Sequence, residues 1–503
     1  MGAVRGVLLD ESLLFFDAGS GNFYLPPGSM TLLRRLQYSK LRVGFCYQKD
    51  VLQQKEIFLK QTAASYSFDC ISLRGSHARN SFNESLPDWH ADGEICFYVT
   101  SRKDETLFGK LQNRGWKIVC IGVERGGTMD KELLFIDQLE ELLITVCSFS
   151  KKVVCPKVMH CMPVLIVGYV MKPSREEDFA KRGAFPMYPT QNGLLFVPLT
   201  FELPLAPQIQ EVDVILHKAT DEILSIDPDY CLDFPKGIAF SRGMQELERS
   251  IQDHPNCCII DPLNNIYPLL DRHKIQQILL GLQDLNVNDQ CRLRAPQFLK
   301  VGNLHEPSLR DRLLEANLSF PLIVKPQIAC GVADAHNMAL VFRFEDFMDL
   351  PVPLPAILQE YVDHGSLIFK FYVLGDKVFH AVKKSMPNAS FLLSASEKRG
   401  SAPIMFNSLK SLPVATEDQV SAGGLKAAKQ SLDVELVNKA AKWLRNQLGL
   451  TIFGFDVVIQ EVSGDHVIVD LNYLPTFKEV PDSDAVPAFW DAIKSTYDLR
   501  KAN

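Results

Sequence analysis

Between Thr451 and Pro475 the sequence reads TIFGFDVVIQ, then EVSGD, then HVIVDLNYLP: two apolar runs of strand length around a polar Ser-Gly turn. No other stretch restricts the fold as tightly, because side chains alternate faces along a strand and the register of the pair decides which residues meet. If the hairpin folds symmetrically about Ser463, Asp456 lies opposite Asp470 and Gly454 opposite Asn472, all on one face. The other face then carries Phe453, Phe455, Val457 and Ile459 against Val467, Val469, Leu471 and Tyr473, an apolar surface fit for a core. Opposed carboxylates repel, so something should hold them there. A divalent cation would: two carboxylates and an amide are hard oxygen ligands of the kind Mg²⁺ takes, with water and phosphate completing its shell. Gly454 is expected to leave space for the bound species. A solvated polar face would explain the alternation, but neither the glycine nor the opposed acids.

Upstream of the hairpin, β-like runs (VDVILHKA, FPLIVKPQ, MALVFRF, LPAILQEYV, FKFYVLG, KVFHAVKK) alternate with helical patterns such as VELVNKAAKWLRNQLG, which points to α/β and α+β architecture. The seam SFSKKVVCPKVMHCMP lies between the helical pattern MDKELLFIDQLEELLITV and the buried-strand pattern PVLIVGYVM, and sets a domain boundary near residue 155. Cys155, His160 and Cys161 in that seam lack a second ligand cluster at zinc-site spacing, which favours a linker or strand edge. A second irregular stretch, from about Pro387 to Ser431, is long enough to be a lid or disordered segment; its Gly-Gly is not followed by the Lys-Ser/Thr of a phosphate loop.

A basic constellation precedes the acidic face. Lys325 ends the apolar run FPLIVKPQ, with a glycine loop and His336 behind it; Gln359, Glu360 and Lys370 surround a short polar break; Lys383, Lys384 and Ser385 follow. Lysines at strand ends are usually surface charges, but a succession of them before a Mg²⁺-type face is what phosphoryl transfer requires.

In combination these motifs resemble the inositol 1,3,4-trisphosphate 5/6-kinases, also known as inositol-tetrakisphosphate 1-kinases, over about Pro163 to Tyr497, with the extended amino-terminal domain of a plant type-4 member. VGYVMK resembles the opening strand, HKATDEI the substrate loop and DPLNNIYPLLDR an arginine motif on the nucleotide side; the KPxxAxG…H loop, the QEYVDHG…FKFYV hinge, FGFD and DLNYLP follow in order. The resemblance implies an ATP-grasp kinase that uses ATP and Mg²⁺, two ions, to phosphorylate inositol tris- and tetrakisphosphates in phytate metabolism. It implies ATP contacts from Arg272, Lys325, Gln359, Glu360, Val362, Lys370, Ser385 and Ser408. It implies metal ligation by Asp456, Asp470 and Asn472, which with Lys370 form the catalytic set. Substrate contacts are implied for Lys218, His336, Lys370, Asn472 and Thr476, and for Lys172 or Arg175 after the opening strand. Three departures bear on substrate choice: Cys330 where relatives have Asp or His, Asp334 where plant relatives often have Lys, and Thr476 in place of a Gly. A carboxylate–amine ligase would share the nucleotide site, but HKATD and AHNMA argue against it; intact metal ligands argue against a non-catalytic inositol phosphate receptor or scaffold.

The start of the chain, GVLLDESLLFFD followed by LPPGSMTLLRRLQYSKLRVGFCY, resembles the opening of a haloacid dehalogenase-like domain. Such phosphatases use two aspartates two residues apart after the first strand. Asp10 keeps the first place, Ser12 stands in the second, and Cys46 and Tyr47 occupy the end of the second strand where a hydroxyl should hold phosphate. A plain Rossmann-like domain with an acid after its first strand is the alternative; either way no complete phosphatase site is present. The expected division is 1–155 as a non-catalytic α/β domain, 160–262 as the inositol phosphate-binding part of the kinase, and 263–503 as the ATP-grasp region.

Composition narrows the setting. The 503 residues are 47% hydrophobic and 22% charged, with no apolar run near the roughly 20 residues of a membrane helix. A net charge of -7 gives no overall attraction for nucleic acid or membrane, and twelve scattered cysteines do not make a disulfide scaffold. A monomeric cytoplasmic protein, with a nuclear pool as a further option, is expected.

Overall fold

The computed structural model describes residues 3–13, 16–17, 23–25, 27–48, 51–73, 89, 94–123, 132–154, 163–227, 237–286, 292–398, 402–419 and 432–502. Two compact units account for them: Met1–Leu216 with Glu246–Cys258, and His217–Gln245 with Ile259–Asn503. The seam expected near residue 155, with Cys155, His160 and Cys161, lies outside the described residues, as does the Gly-Gly of the second irregular stretch. Among the described residues no helix is long and apolar enough to cross a membrane.

The first unit is organised by a fully parallel six-stranded sheet in the order 69–73, 42–48, 4–10, 95–100, 117–121, 134–136. The central strands are buried along nearly their whole length, as a sheet covered on both faces requires. The strand Leu134–Ile136 overturns part of the helical pattern expected for MDKELLFIDQLEELLITV. That segment pairs with Lys117–Ile121, and the helix starts only at Leu142, after a short turn in which Gln138 and Glu141 cap each other. Three apolar residues that gain an edge partner outweigh local helix propensity. A second sheet, in the order 194–198, 165–170, 214–217, 258–260, completes the α/β organisation, and the short helix Pro173–Lys181 follows its strand Leu165–Val170.

The second unit holds two five-stranded sheets. One, in the order 298–301, 356–360, 322–326, 337–341, 404–407, is antiparallel throughout and packs on a core that includes Val301, Leu322, Val324, Val341, Phe347 and Leu358. The other runs 293–294, 466–473, 452–459, 367–374, 377–384. Residues 361–366 carry the chain from the strand Ala356–Glu360 of the first to the strand Leu367–Leu374 of the second. The helix Val434–Leu448 feeds the hairpin: Asp433 caps its start by accepting from the Leu436 amide, Gly449 in the left-handed region ends it, and Val437, Ala440, Ala441, Leu444 and Leu448 bury the stripe that its sequence periodicity predicts. The irregular stretch after Pro387 is more ordered than expected, with a helix at Ala389–Glu397 and a strand at Ile404–Asn407 that extends the first sheet.

Candidate active site

The hairpin forms in the expected register at its functional end: Gly454 lies opposite Asn472, Phe455 opposite Leu471, and Asp456 opposite Asp470. Beyond the acids a bulge intervenes, so that Val457 pairs with Ile468 and Val458 with Val467. The symmetric register is therefore corrected by one residue. Val467 and Val469 leave the phenylalanine face and pack with Val458, Val362 and Ile368 instead. Asp456 and Lys370 are also partners across the strand pair, so this apolar group continues the acid-bearing face toward the 361–366 crossing. Gly454 also has a different reason from the one expected. A Cβ there would come within 2.9 Å of the Phe371 carbonyl and 3.2 Å of the Pro475 ring, so close packing requires the glycine, rather than room for a ligand.

Two lysines converge on the two acids of this face. The Lys370 ammonium lies 3.1 Å from Asp456 Oδ2, and Lys325 Nζ reaches across to the Val469 carbonyl at 3.5 Å. Burial opposes the charge on Lys370, but Asp456, its hydrogen bond, Asp470 and Glu479 outweigh that and hold the ammonium above its ordinary pKa. Burial brings Lys325 down to about 8, with Asp470 offsetting part of the shift and Arg272 adding to it. Desolvation pushes Asp456 up to about 6 despite Lys370, and Asp470 adds to the rise. Burial thus disfavours the charged form of Asp456 by more than the neighbouring lysines offset. Among the described residues no group of three or more His, Cys, Asp and Glu side chains could hold a metal. Two carboxylates and the Asn472 amide form a sparser all-oxygen set, which fits Mg²⁺ completed by phosphate oxygens and water.

Arg272 is buried and engaged with backbone carbonyls of the protein. Its guanidinium donates to the carbonyls of Pro326 at 2.7 Å, Ile328 at 2.8 Å and Ala329 at 3.3 Å, clasping the loop that follows Lys325. Gln327 Nε2 donates to Asp271 on the same seam, at 2.9 Å. Glu360 is likewise taken up: both its oxygens accept from Arg294, at 2.8 and 2.9 Å, and one accepts from the Gln297 amide at 2.7 Å. Gln359 is buried, with Gln276 Nε2 at 3.4 Å from its side-chain oxygen, and the Val362 carbonyl lies 2.6 Å from His364 Nδ1. Buried Ser385 is fixed by its backbone to Ser366 and Ala415.

The substrate-side candidates fall into two groups. Lys218 donates to the Tyr473 carbonyl and lies 4.6 Å above that ring, while the Tyr473 hydroxyl donates to the His217 carbonyl; together they staple the HKATD segment to the strand carrying Asn472. Cys330 lies in the field of Lys218, Arg272 and Asp470, its thiol raised by burial. Gly331, at φ +89°, lets this loop close onto Ile223. His336 Nδ1 and Ser408 Oγ are 3.1 Å apart, joining a residue expected on the substrate side to one expected on the nucleotide side. The Asp334 carboxylate accepts from Asn337 Nδ2 at 3.0 Å, and Thr476 is half-buried just past Pro475. Lys172 and Arg175 belong to the first unit, at the start of the helix Pro173–Lys181. No motif pointed to Arg294, which fixes Glu360, or to Glu479, which accepts from the Tyr372 hydroxyl and from Lys383 at 2.7 Å. Tyr473 was visible in DLNYLP, but only as core.

Comparison with known proteins adds an independent line. A family model described as the inositol 1,3,4-trisphosphate 5/6-kinase ATP-grasp domain matches residues 287–491, the pre-ATP-grasp domain of the same family matches 166–266, and "ITPK4, N-terminal HAD-like domain" matches 1–152. The chain is 54% identical over 507 residues to inositol-tetrakisphosphate 1-kinase 6 of Oryza sativa subsp. indica, covering 100% of this chain and 91% of that one. Inositol-tetrakisphosphate 1-kinase of Xenopus laevis is 29% identical over 319 residues, 63% of this chain and 75% of that protein. Inositol-tetrakisphosphate 1-kinase 1 of Zea mays is 29% identical over 336 residues, 66% and 90% respectively.

Proposed function

The chain belongs to the inositol 1,3,4-trisphosphate 5/6-kinase family and is an ATP-dependent inositol phosphate kinase with an ATP-grasp fold; from that premise we propose how its own residues perform the transfer. The observation that carries the assignment is the face on which Asp456 meets Asp470 in register, with Lys370 on Asp456, Lys325 beside Asp470, and an apolar valine group at the other end.

The adenine lies along the crossing at Gln359–Val362, against Val362, Val458 and Val467. Because Arg294 occupies the Glu360 carboxylate, base recognition falls to backbone groups there. Lys325 and Lys370 meet the nucleotide phosphates, and Ser385 and Ser408 add contacts at the edge of the nucleotide. Arg272 acts by fixing the loop after Lys325, so its effect on ATP is positional as well as electrostatic. Asp456, Asp470 and Asn472 hold two Mg²⁺ ions. Mg²⁺ held there would supply positive charge to neutralise the nucleotide phosphates. Lys218, His336, Asn472 and Thr476 face the inositol phosphate, with Lys370 shared between the two substrates. An inositol hydroxyl attacks the γ-phosphoryl group in line. No strong base is required, since in a loose transition state positioning and charge neutralisation supply most of the acceleration.

The substrates are inositol tris- and tetrakisphosphates, of the 1,3,4-trisphosphate and 3,4,5,6-tetrakisphosphate type. Residues 160–262 supply the inositol phosphate side, 263–503 the nucleotide and metal side, and 1–155 a regulatory or stabilising part. A monomer with reduced thiols, in cytoplasm or nucleus, suits the free cysteines at Cys46, Cys96 and Cys147. The test is turnover of ATP with a panel of inositol phosphates, scored by the phosphorylated product. Product from at least one tris- or tetrakisphosphate is expected; ATP hydrolysis with no phosphorylated inositol product would overturn the reading.

A further inference from the structure

In the six-stranded sheet of the first unit the chain leaves the strand Val4–Asp10 toward 42–48 and 69–73 on one side. From the neighbouring strand Ile95–Thr100 it continues to 117–121 and 134–136 on the other. The carboxyl ends of these two adjacent strands flank a topological switch point, where open α/β sheets take ligands. Here the place is filled from within. Glu11, with 2% of its side chain exposed, follows directly on the first strand; one carboxylate oxygen accepts from Lys55 of the helix Gln53–Tyr66, and the other accepts from Arg102 Nη2 at 2.5 Å, just past the second strand. Asp10 is equally committed, Oδ1 accepting from the Ser12 amide at 3.0 Å and Oδ2 from the Tyr98 hydroxyl at 2.9 Å. Ser101 and Ser12 close the rim by a hydroxyl pair at 2.9 Å.

An ammonium and a guanidinium from two different elements, gripping one buried carboxylate at a switch point, form an anion site whose anion belongs to the chain. We propose that the crevice has the recognition chemistry of a phosphate monoester site and that Glu11 is its built-in occupant, keeping Lys55 and Arg102 from external phosphate. This goes beyond the absence of a phosphatase site. The cations are present, and one carboxylate decides whether they are available.

Acetylation of Lys55 in the full chain, followed by mass spectrometry with and without inorganic phosphate, reads this residue apart from any phosphate bound in the kinase region. In the wild type Lys55 labels slowly and without dependence on phosphate. In Glu11→Gln, which keeps the side-chain volume, and in Glu11→Ala, labelling rises by roughly tenfold, the factor expected for losing a charge-assisted hydrogen bond, and millimolar phosphate restores protection. Adding Arg102→Ala to Glu11→Gln abolishes the phosphate effect. Phosphate-dependent labelling in the wild type, phosphate-independent labelling in both variants, or protection that persists without Arg102 would each overturn the proposal.

Discussion

The two units each bring a pair of acids and a pair of basic side chains to the working edge of a sheet, yet with opposite results. In the first unit Glu11 is closed by Lys55 and Arg102, and both oxygens of Asp10 are hydrogen-bonded. In the second, Lys370 reaches Asp456 and Lys325 lies near Asp470, but desolvation still carries Asp456 up to about 6. Equal counts of charge make a sealed crevice in one case and, in the other, a face on which burial still disfavours the charged form of Asp456 despite its lysine. What separates them is whether the hydrogen-bonding capacity of the acids is used up inside the protein, which only three-dimensional packing decides.

If the second face is the working one, the largest effects should come from its lysines. Lys325→Ala and Lys370→Ala are expected to lower the rate of phosphoryl transfer by roughly 10²–10³, the range for removing a group that stabilises transition-state charge, with near-native circular dichroism. Losses below about tenfold in both would mean that these lysines are structural. The substrate side should respond less. His336→Ala or Lys218→Ala weakens inositol phosphate use by about 1–3 kcal/mol and leaves the KM for ATP nearly unchanged; an equal rise in the KM for ATP would place them on the nucleotide side.

Burial without a compensating charge can be tested at His217, beneath the substrate loop. Desolvation lowers its pKa to about 4, and the ring nitrogen Nδ1 is buried with no hydrogen-bond partner. The unfolded chain takes up a proton near pH 6.5 that the native state refuses until about 4, so this residue lowers stability as pH falls through that window, by up to about 3 kcal/mol. Asp261, raised to about 6 by desolvation, acts in the opposite direction between its unfolded value and 6. Comparison of His217→Asn with wild type isolates the first effect: the variant should lose less stability between pH 6.5 and 4.5, whatever its absolute melting temperature, and parallel curves would refute the assignment. The smallest effect belongs to the sealed crevice. Asp10→Asn should leave kinase turnover within experimental error in a product-scored assay; a loss comparable to that of Lys370→Ala would end the contrast between the units.

The hairpin shows what a sequence can reveal. Asp456 faces Asp470 and Gly454 faces Asn472 because period-two alternation around a short turn leaves few registers. The bulge that moves Val467 and Val469 to the acid-bearing face left no mark in the alternation, because every residue involved is apolar. The helix Val434–Leu448 was legible from its stripe, whereas Leu134–Ile136 became a strand by pairing with Lys117–Ile121, which its own local pattern does not show. Motif order brought Arg272 and Glu360 to notice, but not what they hold: Arg272 binds carbonyls about fifty residues on, and Glu360 answers to Arg294, which no motif contains. Pairings between distant, individually ordinary residues are where sequence reading stops.

The central claim is that Asp456, Asp470 and Asn472 form the metal-dependent centre of an inositol phosphate kinase. Its most direct test is product-scored turnover of Asp470→Asn at saturating ATP and Mg²⁺, with inositol phosphate in excess and folding followed by thermal unfolding. Transfer should fall by roughly 10² or more, while thermal unfolding stays cooperative, showing that the loss is not one of folding. Turnover near that of the wild type would contradict the account.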